Sequence, residues 1–161
     1  MTSDLAGLPP VHPTVVHMLA DATARSAGAT ALVCGERTLT YAQYLRCVAG
    51  FAGELASLGA RGSRVALICG NSLEMAVAMF AAHAAGAQAT PVNPTYTARE
   101  LTHIIRDAEP AVLIYDGESA ATVEPLLDAL GVSSAIRIGE DGGRLLDVWR
   151  DDSQLRLPDP L

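Results

Sequence analysis

The chain has 161 residues, a hydrophobic fraction of 50% and a formal net charge of -7. Its length suits one domain or a piece of a larger protein, and it is sufficient to bury a core. An excess of acidic residues repels phosphate backbones, so the composition argues against nucleic-acid binding. Because there are only two Phe and one Trp, small aliphatic side chains must fill the core. That composition favours helices packed on a sheet over an aromatic-rich β-sandwich.

The first predicted elements are an arm, a helix and a hairpin. Residues 1–13 contain three prolines and no periodicity, which is typical of an extended arm. Thr14 is suited to cap a helix that ends near Ser26. The apolar face of this helix is predicted to comprise Val15, Met18, Leu19 and Ala22. Residues 30–41 then predict a β-hairpin that turns at Gly35.

A second helix follows the hairpin directly. Thr40 and Gln43 have the spacing of a capping box, in which each side chain bonds the other residue's backbone. The predicted apolar stripe of this helix comprises Leu45, Val48, Ala49, Ala52 and Leu55. Gly59 is predicted to end the helix, because glycine readily adopts the left-handed conformation found there.

A buried strand and a buried helix come next. Residues 64–69 form a short apolar run, which is typical of a strand covered by helices on both faces. Asn71 is predicted to cap the following helix, with Glu74 completing a capping box. That helix is apolar on nearly all sides, so we expect it to be buried on more than one side. The stretch 73–89 is too short and too often interrupted to span a bilayer.

The remaining chain predicts further β–α units. Residues 89–92 and 111–115 read as strands, and Thr97 with Glu100 predicts a capping box between them. A helix is predicted near residues 120–130, where a proline would be tolerated only in the first turn. The last predicted elements are a strand at 132–138, a turn at 141–143 and a short helical turn at 145–150.

These elements predict an α/β fold. Successive β–α units require right-handed crossovers, which give a mostly parallel sheet with helices on both faces. The N-terminal β-hairpin is expected to add an antiparallel piece at one edge of that sheet. We divide the chain into an extended N-terminal arm (1–13), an α/β subdomain (14–150) and a C-terminal tail (151–161).

The sequence contains few candidates for chemistry. The four histidines and three cysteines lack the spacing of a metal site. His83 is interpreted as a hydrogen-bonded core residue, and the cysteines as buried, reduced thiols of a cytoplasmic protein. No motif predicts a catalytic residue. Two minor candidates follow strands: an anion site at residues 70–72, beside a helix N-terminus, and Asp116.

Taken in order, several segments resemble the N-terminal part of the adenylate-forming acyl-CoA synthetases. That superfamily also includes luciferases and nonribosomal-peptide adenylation domains. The segments are HPTVVHML, ERTLTYAQYLRCV, LGARGSRVALICGNSLEMAVAMFAAHAAGA, TPVNPTYTAREL and DAEPAVLIYD. VNPTYT is more similar to the fatty-acyl and aryl-CoA ligase branch than to the peptide-synthetase branch. The resemblance therefore implies that a hydrophobic carboxylic acid is activated in the full enzyme.

The resemblance also implies which ligands the full enzyme uses and where they bind. Full enzymes of this family use ATP, Mg²⁺ and CoA, but their phosphate-binding and catalytic motifs lie further along the chain. No catalytic, ATP-binding or metal-binding residue therefore carries over to these positions. The segment 93–99 corresponds to the CoA side of the full enzyme, so Thr95 and Arg99 are the only candidate cofactor contacts.

Two functions follow as expectations. The first is an N-terminal fragment of an AMP-forming acyl-CoA synthetase, inactive alone because it lacks a Gly-rich loop and cationic groups to stabilise phosphate. Its partner would be the rest of the synthetase chain or a second copy of itself. The alternative is a free-standing α/β binding or dimerisation module without catalysis. In both cases we expect a cytoplasmic location, no nucleic-acid partner and no membrane span.

Overall fold

The computed structural model describes residues 10–139, 146 and 155–158. The first half contains α1 (Val15–Ser26), β1 (Thr30–Cys34), β2 (Arg37–Thr40) and α2 (Tyr41–Ser57). The second half contains β3 (Arg64–Ile68), α3 (Leu73–Ala84), β4 (Gln88–Val92), α4 (Ala98–Ala108), β5 (Val112–Asp116), α5 (Gly117–Leu130) and β6 (Ala135–Ile138). The turn predicted at 141–143 lies outside the described residues, as do residues 1–9 and, except for residue 146, the helical turn predicted at 145–150.

Four strands form one parallel sheet in the order β4-β3-β5-β6. Val65 of β3 lies between Ala89 of β4 and Val112 of β5 in this register. Because parallel neighbours need long crossovers, each strand is connected to the next by a helix. The predicted α/β fold is therefore confirmed, with a mostly parallel sheet and helices on both faces.

The hairpin is present but does not extend this sheet. β1 and β2 pair antiparallel as a separate two-stranded sheet, so the prediction that they join an edge of the main sheet is wrong. They pack instead against α2 and α3, and Leu39 of β2 is fully buried in that contact region. Burial of this side chain against helices, rather than backbone pairing with the main sheet, determines the hairpin's position.

Two apolar cores lie on opposite faces of the parallel sheet. Side chains alternate between the faces along a strand, so neighbouring residues of β3 enter different cores. Val65 and Leu67 pack with α1, α2 and α3, whereas Ala66 and Ile68 pack with α4 and α5. No residue of α3 is exposed, which confirms that this helix is buried on more than one side.

The inward face of α1 differs from the prediction. Thr14 caps this helix as expected, and its side chain accepts a hydrogen bond from the His17 amide. Val16 and Leu19 are buried, however, while Val15 and Met18 are 42% and 47% exposed. The apolar residues of α1 form two overlapping faces, and their spacing alone does not decide which face is buried. Packing against α2 and α3 buries the face that contains Val16 and Leu19.

Capping was predicted correctly at most helix starts. The capping boxes of α2 and α4 are formed as expected, and Gly59 has the left-handed conformation with φ of 80°. The cap of α3 is Ser72 rather than Asn71, because the helix begins one residue later than predicted. Glu74 therefore makes no capping bond and is instead buried against Arg37.

α5 begins earlier than predicted, and this changes the position of its proline. Asp116 caps the helix through a capping box with Ser119, so Gly117 is already helical. Pro125 consequently lies in the helix interior instead of the first turn, which corrects the prediction. No helix among the described residues is long and apolar enough to cross a membrane.

Candidate functional site

An open cleft lies at the carboxyl ends of β3, β5 and β6, where ligands bind in open α/β sheets. Its volume is about 390 Å³. The walls include the backbone of residues 70–72 and the charged side chains of Arg37, Glu74, Asp116 and Glu118. Carboxylates outnumber cations among these groups.

Asp116, one of the residues that line this cleft, has a structural role. Its Oδ2 accepts a hydrogen bond from the Gly70 amide at 2.6 Å, and its Oδ1 accepts one from the Ser119 amide at 3.0 Å. The Ser119 hydroxyl also donates to the Ile68 carbonyl at 2.8 Å. One carboxylate therefore caps α5 and joins the start of this helix to the loop between β3 and α3.

Among the described residues that line this cleft, the one cation is paired with a buried carboxylate. Glu74 is 1% exposed, and the Arg37 guanidinium donates to both of its carboxylate oxygens. The Glu118 carboxylate also lies near Gly70, since a methyl group added at that glycine would be 3.6 Å from one of its oxygens. The Gly70 amide is already used by Asp116. These groups offer little to an incoming phosphate, so they give no support to an anion site at residues 70–72.

The cysteines and histidines do not form a reactive centre. Cys47 and Cys69 are buried as expected, but Cys34 is exposed, which corrects the interpretation of all three as buried. Burial, and secondly the Asp116 charge, raise the pKa of the Cys69 thiol. His83 is only half-buried, and its ring makes no hydrogen bond with any described residue, so it is not a hydrogen-bonded core histidine. Within the described ranges, no three His, Cys, Asp or Glu side chains are placed to hold a metal ion.

The segment with the two candidate cofactor contacts lies at the end of β4. Asn93 Oδ1 accepts hydrogen bonds from the Thr95 amide at 3.0 Å and from the Thr95 hydroxyl at 2.9 Å. Thr95 is thus held in a turn by its neighbour, and its side chain is exposed. Arg99 lies in the first turn of α4 and lines a shallow surface groove with Thr97 and His103.

The charges in this second region differ from those of the cleft. The Arg99 side chain is exposed and makes no ion pair with a described residue. The neighbouring Glu100 is occupied by the cap of α4, because its carboxylate accepts from the Thr97 amide at 2.8 Å. These hydrogen bonds lower the pKa of Glu100. Arg99 is therefore available to an anionic ligand, whereas the amide and the hydroxyl of Thr95 both already donate to Asn93.

Comparison with known proteins identifies the family. Residues 19–154 match the family model of the AMP-binding enzymes. Since this match covers most of the chain, the chain belongs to the AMP-binding enzyme family. The resemblance stated from the sequence, to the N-terminal part of an adenylate-forming acyl-CoA synthetase, is confirmed.

Several relatives are similar over most of this chain. The long-chain-fatty-acid–CoA ligase of Escherichia coli O6:H1 is 32% identical over 136 residues, which cover 82% of this chain and 24% of the ligase. Tyrocidine synthase 3 of Brevibacillus parabrevis is 32% identical over 113 residues, covering 70% of this chain and 2% of that protein. The chain therefore spans a quarter or less of these relatives.

Solved structures agree with this assignment. A fatty acyl CoA synthetase from Mycobacterium tuberculosis superposes with a TM-score of 0.77 at 29% identity, covering 92% of this chain and 30% of that one. The anthranilate CoA ligase AuaEII superposes with a TM-score of 0.79 at 26% identity, covering 94% of this chain and 29% of that one. A structure of the N-terminal domain of FACL13 from Mycobacterium tuberculosis, 29% identical with a TM-score of 0.76, covers 90% of this chain and 37% of that domain.

Proposed function

We propose that this chain is the N-terminal part of an AMP-forming acyl-CoA synthetase, an acid–thiol ligase. In this reaction a carboxylate attacks the α-phosphorus of ATP, which gives an acyl-adenylate and releases pyrophosphate. The CoA thiol then attacks the acyl carbon and AMP leaves. The observation that carries the proposal is the family match over residues 19–154, together with ligases of this class among the relatives.

The described residues are proposed to be scaffold for that reaction. The groups at the carboxyl edge of the sheet are mostly acidic and hydrogen-bonded to one another, which does not fit the phosphates of ATP. ATP and Mg²⁺ would accordingly be bound by parts of the enzyme outside the described residues. The 161-residue chain alone is then expected to be inactive, and its partner is the rest of the synthetase chain.

The substrate of the complete enzyme is proposed to be a hydrophobic carboxylic acid. The segment VNPTYT and the names of the fatty-acid and anthranilate ligases support a fatty or aryl acid. Peptide synthetases are also among the relatives, so an amino acid is the competing substrate class. We further propose a cytoplasmic location, where ATP and CoA are available.

An ATP–pyrophosphate exchange assay tests this function. The 161-residue chain, given ATP, Mg²⁺ and a panel of fatty, aryl and amino acids, should show no exchange above a protein-free blank. The protein encoded by the complete reading frame should exchange with a fatty or aryl acid. Exchange by the 161-residue chain would show that it carries a complete active site. A complete protein that exchanges only with amino acids would refute the CoA-ligase assignment.

Arg99 and Thr95 are proposed to contact CoA in the complete enzyme. Loss of one charge-assisted hydrogen bond to an anionic ligand corresponds to about a tenfold weaker interaction. We therefore expect Arg99→Ala to raise the KM for CoA by about tenfold with little change in the KM for ATP. Arg106→Ala is the matched control, because Arg106 is also exposed on α4 but lies two turns away. Equal effects of both substitutions would exclude a specific contact at Arg99.

The alternative function, a free-standing binding or dimerisation module, makes a different prediction. The helix α3 is apolar on nearly all sides, and it would favour this alternative if its surface were left uncovered. In the structure α3 is covered within the chain by α1, α2 and the sheet. The mass in solution and the affinity for nucleotide together separate the two functions. A stable dimer that does not bind nucleotide would favour the binding or dimerisation module.

A further inference from the structure

The helix α1 has a second apolar face beside the one that packs in the core. Val16 and Leu19 form the buried face. Val15 and Met18 are 42% and 47% exposed, although both are large apolar side chains. Residues three apart on a helix lie on the same face, so these two side chains form one exposed stripe. The helix therefore has more apolar surface than its packing on α2 and α3 covers.

A third exposed apolar side chain and a charged border complete this surface. Val11, just before the helix, is 96% exposed. Its neighbour His12 lies 3.6 Å from the Asp21 carboxylate further along α1, so this part of the arm runs beside the helix. Asp21 also pairs with Arg25, and the two follow Met18 by three and seven residues. We name Val11, Val15 and Met18 the α1 patch.

The α1 patch differs from the other exposed apolar side chains in the described part of the chain. Those side chains occur singly, at four separate places in the sequence: Val33, Leu58, Tyr96 and Leu157. Single exposed apolar residues are common on protein surfaces, whereas a group with a polar border indicates a surface that another part of a protein covers.

The relatives indicate which part of a protein would cover the α1 patch. The match to the N-terminal domain of FACL13 includes 90% of this chain but only 37% of that domain. Most of that domain in the relative therefore lies outside the match. A domain is built around one contiguous core, so its unmatched part must pack against its matched part.

We propose that the α1 patch is an internal docking surface, covered in the complete synthetase by an apolar segment from the remainder of the same chain. This proposal rests on the proposed function, because only a complete synthetase supplies that segment. The patch is uncharged, so the covering side chains are aliphatic or aromatic, and the flexible thioether of Met18 adapts to their shape. Asp21 and Arg25 remain at the hydrated border of the contact.

Two cysteine variants of α1 test whether the patch is covered. Met18→Cys places a thiol in the patch, and Ala24→Cys places one at an exposed position six residues further along the same helix, on a different face. Both are made in the 161-residue chain and in the protein encoded by the complete reading frame. Labelling by a maleimide is followed by peptide mass spectrometry, which separates these thiols from the native ones. The two positions should label at similar rates in the 161-residue chain. In the complete protein, Met18→Cys should label at least about tenfold more slowly than Ala24→Cys.

Oxidation of Met18 gives the same information without a substitution. Hydrogen peroxide converts an accessible methionine to its sulfoxide. In the wild-type 161-residue chain Met18 should be oxidised faster than Met75 and Met79, which are half-buried on α3. In the complete protein the oxidation of Met18 should slow by about tenfold or more. This measurement decides the question if a cysteine variant does not fold.

Several results would overturn the proposal. One is equal labelling of the two cysteine positions in the complete protein, and another is an unchanged rate of Met18 oxidation there. Protection of Met18 already in the 161-residue chain would also refute it, and a dependence on protein concentration would then identify a second copy as the occupant.

The exchange assay on the same preparations distinguishes this proposal from the proposed function. An active complete protein with an accessible Met18 refutes the docking surface alone. A complete protein that protects Met18 but catalyses no exchange refutes the ligase function alone.

Discussion

Asp116→Ala should destabilise the chain more than substitution of a half-buried residue at the end of a strand would indicate. The substitution removes the cap of α5 and the acceptor for the Gly70 amide at 2.6 Å. Loss of an N-cap costs about 1 kcal/mol, and loss of a hydrogen bond to a charged acceptor costs about 1.5 kcal/mol or more. The two losses concern different donors, so we expect the free energy of unfolding to fall by about 2.5 kcal/mol.

Asp116→Asn separates these two contributions. An asparagine retains one side-chain oxygen, which can accept from the Ser119 amide or from the Gly70 amide but cannot reproduce both bonds. Asn is also a good N-cap residue, so α5 keeps its cap. We therefore expect a loss of about 1 to 1.5 kcal/mol, roughly that of the single bond to Gly70.

Urea denaturation at neutral pH, followed by far-UV circular dichroism, measures both losses. Asp107→Ala is the control, since Asp107 is exposed near the end of α4 and should change the free energy of unfolding by less than about 0.5 kcal/mol. The reasoning fails if Asp116→Ala is as stable as the wild type. It also fails if Asp116→Asn and Asp116→Ala lose the same amount, because the remaining oxygen would then contribute nothing.

Three further predictions follow from the charged and thiol groups. Arg37→Met should cost about 3 kcal/mol and Glu74→Gln about 1 kcal/mol in urea denaturation, because only the first leaves a buried carboxylate without its cation. The pKa of Glu100 is lowered by the backbone and then the side chain of Thr97. A lowered pKa contributes stability above the ordinary glutamate value that is lost as the pH falls through the lowered value. Glu100→Gln should therefore flatten the loss of stability below about pH 4.5. A thiol reagent should titrate only Cys34 in the native chain, and all three cysteines after unfolding.

Each of these predictions has a contrary result that the same measurement would reveal. Equal losses for the two ion-pair variants would mean that burial of the carboxylate is not the main cost. If Glu100→Gln loses stability at low pH as steeply as the wild type does, protonation of Glu100 does not weaken the α4 cap. Rapid labelling of more than one thiol in the native chain would contradict the burial of the other two.

Much of the fold was predictable because its determinants are local. The capping boxes at Thr40 and Thr97 depend on residues three positions apart, and both are formed as predicted. The parallel sheet follows from the alternation of short apolar runs with helices. Each of these signals depends on a few neighbouring residues, so tertiary packing had little opportunity to change the outcome.

The wrong predictions concern positions where two local arrangements are possible and contacts with distant residues decide between them. Either Asn71 or Ser72 can cap a helix, and the choice of Ser72 leaves Glu74 free to turn inward toward Arg37. α1 has two overlapping apolar faces, and only contact with other helices decides which one is buried. The local spacing of residues does not reveal such contacts, because the contacting residues lie far apart along the chain.

The same limit explains why the roles of the site residues could not be assigned from sequence. Asp116 was singled out because it follows a strand, which is where ligands bind in such sheets. Its actual partner, the amide of Gly70, is 46 residues away, and that bond makes Asp116 a structural residue. The family match and the packing thus lead to one conclusion. The groups at the carboxyl edge hold the β3–α3 loop and the start of α5 in place. The binding of acid and ATP that we propose for the complete enzyme is therefore assigned to groups outside this cleft.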